Sequence, residues 1–100
     1  MDNLNFEWDS EKARLIAEKH GLDMERVMRM FDDPFRLERF DYGHSGIEDR
    51  VQTLAVSDGV LFAVYTKRNE KNRVITARKA TAAERRIYYG MDGEGNWFVP

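Results

Sequence analysis

Around Pro34 the chain changes its hydrophobic period, and that change confines it to folds that keep helices and a sheet in separate layers. Before the proline, Ala13, Ile16, Ala17 and His20, and then Val27, Met28 and Phe31, recur at the three-to-four-residue spacing that puts side chains on one face of a helix. Asp9 and Asp23 stand where side-chain oxygens accept from the free N–H groups of a first turn. Leu22 can staple onto Val27, and Gly21 permits the left-handed turn that ends the first helix. After the proline the period becomes two, and four strands are expected: Phe35 to Asp41, Glu48 to Val56, Val60 to Lys67 and Arg73 to Arg78. Ser57, Asp58 and Gly59 make a tight hairpin turn between the second and third, and Arg68 to Asn72 reads as a polar loop. On the fourth strand, alternation predicts Ile75 and Ala77 on one face, Val74 and Thr76 on the other. Phe6 to Trp8 reads as a short extended entry segment. Thr81 and Glu84 spell a capping box, so a third helix starts there, carries Ile87 and ends near Gly90.

The expected fold is therefore α+β: two N-terminal helices, a four-stranded antiparallel sheet covered on one face and free on the other, and a C-terminal helix. One hundred residues suit a single domain, placed at residues 1–90. Residues 91–100 mix glycine, acids and late aromatics without period; they are left unassigned, with mobility or a partner's grip expected there.

Composition removes whole classes of chemistry. With no cysteine there is no disulfide frame, thiol nucleophile or thiolate metal site, and His20 and His44 stand too far apart in sequence for a zinc motif. No phosphate-cradling glycine motif occurs, so neither a cofactor nor a metal is expected. No apolar run reaches membrane length and acids are scattered through the first twenty residues, which predicts a cytoplasmic protein without a membrane partner. The net charge of −2 conceals an asymmetry: residues 1–63 carry eight basic and fourteen acidic side chains, whereas Val64 to Gly90 carries eight basic and two acidic. A segment of net +6 fits a working surface for a polyanion, and equally a solvated strand edge and helix face.

Phe-Glu-Trp-Asp at 6–9, Lys-His-Gly at 19–21, Phe-Asp-Asp-Pro at 31–34, His44, Glu48 with Arg50, Tyr-Thr-Lys-Arg at 65–68, and Ala-Arg-Lys-Ala at 77–80 with Glu84, Arg85 and Arg86 follow one another in the order and spacing of a known family. From residue 6 to about residue 88 the chain resembles the BrnT toxins of type II toxin-antitoxin systems. The resemblance implies a RelE-like fold, a ribonuclease that halts translation, and a BrnA-like ribbon-helix-helix antitoxin through which alone the toxin reaches DNA.

RNA cleavage through the ribose 2′-OH needs a group to take that proton, a group to protonate the leaving 5′-oxygen, and fixed cations at the phosphorane. Arg68 and Arg78, at the ends of two strands of the basic segment, are the candidates for phosphate stabilisation, since guanidinium forks match phosphate oxygens. Pairing with Glu48 or Glu70 is their ordinary alternative. His44 and Glu48 are the candidate proton carriers, although Glu48 and Arg50, two apart on one strand, can also simply pair. Arg50, Lys67, Lys79 and Arg85 are candidate RNA contacts. Tyr88 is one too, by stacking a base, unless it serves helix packing. A non-catalytic RNA- or protein-binding module of the same fold, acting only as antitoxin partner, is the competing expectation.

Overall fold

The computed structural model describes residues 6–44, 46, 48–91 and 96–100, and at His44 the backbone alone. Along the chain lie β1 (Phe6–Glu7), α1 (Ser10–His20), α2 (Met24–Met30), β2 (Leu37–Phe40), a 3-10 turn (Tyr42–His44), β3 (Arg50–Val56), β4 (Val60–Arg68), β5 (Lys71–Lys79) and α3 (Ala82–Tyr88). The helix boundaries follow their caps. Asp9 Oδ1 accepts from the N–H groups of Glu11 (2.8 Å) and Lys12 (3.2 Å), Gly21 turns left-handed at φ 67°, and Asp23 Oδ1 accepts from Arg26 N–H at 2.8 Å. Asn69 and Glu70 both take positive φ, 54° and 66°, so the expected loop of residues 68–72 shrinks to a two-residue hairpin turn and both flanking strands run longer than predicted.

The sheet has five strands, ordered β1-β5-β4-β3-β2. Its four long members are antiparallel, as expected, but the entry segment is itself a strand: Phe6 and Glu7 pair in parallel with Asn72 and Arg73, which makes the sheet mixed. Two residues are too few to show a period, and for that reason the sequence pattern does not reveal this strand.

Both faces of the sheet carry packing, which corrects the expectation of one face left wholly free. On the helix side, Ile16, Leu22, Val27 and Met30 pack on Ala55, Leu61, Ala63, Val74 and Ala77. On the opposite side, Leu54, Val60, Phe62, Val64 and Ala80 form a second cluster, joined by Ile87 and Tyr88 of α3 and by Trp97. Val74 and Ala77, three apart, reach the same cluster because a bulge opposite Val64 and Tyr65 interrupts the pairing; Thr76 faces Val64, Val74 faces Tyr65, and Ile75 joins the second cluster. The predicted alternation of Val74 to Ala77 fails at this extra residue.

A carboxylate is buried on the helix side. Glu38 accepts from Thr53 Oγ1 at 3.1 Å and from Tyr65 Oη at 2.9 Å, with Arg36 Nε 3.8 Å away. Burial, and then the charge of Glu38, raise the pKa of Tyr65 well above the usual phenol range, so this hydroxyl is held as a donor.

Candidate active site

Cross-strand partners point to the same face of a sheet, so the register arranges the second face in rows. The first row is Leu37, Leu54, Phe62 and Arg78. Next come Arg39, Gln52, Val64 and Thr76, then Arg50, Thr66 and Arg73, and finally Arg68 beside Lys71. Helix α3 packs over the first row. The later rows, from Gln52 to the β4–β5 turn, are polar and basic apart from Val64, which belongs to the second cluster.

Arg78 lies under α3. Its guanidinium forms two parallel bonds to Glu84, Nη1 to Oε1 at 2.7 Å and Nη2 to Oε2 at 3.0 Å, and its Cζ sits 4.1 Å above the ring of Phe62. Glu84 Oε1 also accepts from Thr81 N–H (2.8 Å), and Thr81 Oγ1 accepts from Glu84 N–H (3.2 Å), completing the capping box. Arg78 thus ties β5 to the first turn of α3.

Arg68 stands at the other end. Its Nη2 donates to Glu48 Oε1 at 2.8 Å, with the arginine side chain 42% and the glutamate 33% exposed. Six residues of β4 separate Arg68 from Phe62, the partner of Arg78, which at the strand rise is about 20 Å. The two arginines expected at one phosphate are therefore not brought together.

Around Arg68 and Glu48 the structure gathers other expected residues. Arg50 pairs with Thr66, whose hydroxyl donates to Asp49 O at 2.6 Å and fixes the entry to β3. Arg73, not singled out from sequence, holds Glu7 at 3.2 Å and Asp9 at 3.8 Å. The backbone of His44 lies in the β2–β3 connection leading to Glu48, while the proposed contact between its imidazole and Glu48 falls outside the described residues. Lys67 and Lys79, paired with Asn72 and Leu61, alternate onto the helix side and are exposed. Arg85 Nη1 donates to Ala80 O at 3.0 Å. Tyr88 donates its hydroxyl to Asp33; burial and the Asp33 carboxylate raise its pKa far above that of a free phenol. Two hollows, of about 290 and 910 Å³, lie along α1 and α2 and involve none of the Arg68 and Glu48 rows.

The family model for the ribonuclease toxin BrnT of type II toxin-antitoxin systems matches residues 8–84. This chain belongs to the BrnT family. The 1.1 Å crystal structure of the Brucella abortus ribonuclease toxin, BrnT, is similar at a TM-score of 0.58 and 17% sequence identity, over 79% of this chain and 99% of that one. No curated protein matches the sequence. At that identity the crystal structure supports the fold, and the family match carries the assignment as a ribonuclease toxin with an antitoxin partner. Among the described residues no helix is long and apolar enough to cross a membrane.

For Asp33 and Glu84, burial pushes the carboxyl pKa up, but hydrogen bonds outweigh it: Tyr88 and the Val56 and Phe35 amides at Asp33, Arg78 and the Thr81 amide at Glu84. Both end below the usual carboxylate range. A lowered pKa in the folded state adds stability that is complete above the unfolded value of about 4 and disappears as pH falls through the folded one. Urea unfolding should therefore show a lower midpoint at pH 3 than at pH 7. Glu84→Gln should flatten that dependence in part; an unchanged pH profile in this variant would contradict the assignment.

Proposed function

We propose that this toxin is a metal-independent endoribonuclease that cuts RNA on the part of the sheet face beyond α3, and thereby halts translation, until a BrnA-like ribbon-helix-helix antitoxin neutralises it in the cytoplasm. The observation that carries the reading is the exposed Arg68 and Glu48 pair, in line with Arg50, Arg73 and Lys71, in a member of a ribonuclease toxin family. In the proposed step Glu48 takes the 2′-OH proton as that oxygen attacks phosphorus, and Arg68 turns its fork to the phosphorane oxygens. The P–O5′ bond breaks, giving a 2′,3′-cyclic phosphate and a 5′-hydroxyl, with His44 as the candidate donor of the proton the 5′-oxygen receives. Arg50 and Lys71 serve as phosphate contacts. Arg78 has the lesser claim to that role because Glu84 already occupies both arms of its fork.

Purified chain freed of antitoxin should degrade RNA in the presence of a chelator and stop bacterial growth when expressed alone. Intact RNA and normal growth under verified soluble expression would overturn the reading. One observation favours the competing view of a non-catalytic partner: Arg68 and Arg73 each already hold a carboxylate that a phosphate would have to displace. In that case Arg68→Ala would weaken binding without any cleavage to lose.

A further inference from the structure

The family match ends at Glu84, yet the chain's last residues are built into the sheet. Phe98 donates its N–H to Glu38 O (2.9 Å) and accepts from Glu38 N–H (2.8 Å), which adds an antiparallel bridge to the outer edge of β2. The expectation of a free or partner-held tail therefore does not describe Trp97 and Phe98, while residues 92–95 lie outside the described residues. Neighbours on an extended segment point to opposite faces. The Phe98 ring lies 6.3 Å from that of Phe40, on the helix side. Trp97 goes to the other side, onto the second cluster, and there carries the Arg39 guanidinium 4.3 Å from its ring centroid.

Arg39 is held twice, since its Nε also donates to Gln52 Oε1 at 2.8 Å. It belongs to the row of Gln52, Val64 and Thr76, two rows from Arg68, about 14 Å along the strands. The buried indole N–H of Trp97 finds no acceptor among the described residues, so the ring's contribution is its flat surface and not its edge. Arginine stacked on an aromatic loses much of its freedom before any ligand arrives, and guanidinium planes are surfaces on which unpaired nucleobases stack. We propose that Trp97 is a positioning residue that holds Arg39 as a stacking platform for a nucleobase of single-stranded RNA, two rows along the same face from the Arg68 and Glu48 pair. The proposal rests on the ribonuclease reading.

The test is a double-mutant cycle on binding of a fully 2′-O-methylated RNA oligonucleotide, which lacks the attacking hydroxyl and so separates binding from cleavage. Trp97→Ala and Arg39→Ala should each weaken binding about five- to tenfold, and the double variant should bind no more weakly than Arg39→Ala alone. Trp97→Phe should restore most of the affinity and Arg39→Lys little of it, which keeps the test valid if Trp97→Ala disturbs folding. Independent effects that multiply in the double variant, or Trp97→Phe binding as weakly as Arg39→Ala, would overturn the proposal while leaving the ribonuclease reading intact. No binding by the unaltered chain would overturn both.

Discussion

Asp33→Ala is expected to lower stability by about 3 kcal/mol, a fall in melting temperature of roughly 15 °C for a domain of this size. The carboxylate sits in the turn after α2 and accepts from the N–H groups of Phe35 and Val56, each at 2.9 Å, and from the hydroxyl of Tyr88. It thus joins the α2–β2 turn, the end of β3 and α3. Alanine leaves a half-buried phenol and a strand-end amide without their acceptor, and an unmade bond to a charged group costs more than a neutral one gains. Tyr88→Phe removes one of the three bonds and should cost about 1 kcal/mol. Urea denaturation of both variants checks the claim. Equal losses would place the whole effect in the Tyr88 hydroxyl bond and none of it in the two amide bonds.

Arg68→Ala is expected to lower the rate of RNA cleavage by about 10² to 10³-fold, the range found when one fixed donor to a developing oxyanion is removed. Stability should change by no more than about 1 kcal/mol, because the ion pair with Glu48 is solvent-exposed on both sides and such pairs contribute little. Arg68→Lys should recover only part of the rate, since an ammonium keeps the charge and loses the planar fork. Rates measured on variants shown to be folded by circular dichroism separate chemistry from unfolding. A folded Arg68→Ala variant that cleaves at the parent rate would remove this residue from the mechanism.

Much of this architecture is legible in the sequence because it is written in local rules. Asp9, Gly21, Asp23 and the Thr81 and Glu84 box each act within a few residues of themselves, and each stands where its chemistry requires. The hairpin at Ser57 to Gly59 is legible for the same reason. What escapes depends on partners far along the chain. β1 is recognisable only beside Asn72 and Arg73, and the bulge at Ile75 only once β4 and β5 are in register. That bulge breaks the simple alternation expected of Val74 to Ala77.

The candidate site divides along the same line. Glu48 and Arg68 are twenty residues apart in sequence, and their pairing was among the sequence's open alternatives; the β3–β4 register brings it about. Arg78 and Arg68 share a composition signal, a basic segment of two strands, but Arg68 stands at the turn of the β4–β5 hairpin and Arg78 near its open end. Net charge cannot show that separation. Arg39 and Trp97 carry no sequence signal as a pair, since only the return of the chain to the edge of β2 joins them. Asp33 lies inside the Phe-Asp-Asp-Pro block at residues 31–34, yet its role needs Val56 and Tyr88, neither of them nearby in the chain.

The location of the chemistry is tested most directly by single-turnover cleavage of one RNA by folded Arg68→Ala and Arg78→Ala variants, side by side. With the reaction centred on the Glu48 pair beyond α3, the first variant loses at least about a hundredfold in rate. The second, which gives up a tie between β5 and α3, unfolds more readily but cleaves near the parent rate while folded. The reverse pattern, with the Arg78 variant folded and inactive and the Arg68 variant fully active, would contradict that location.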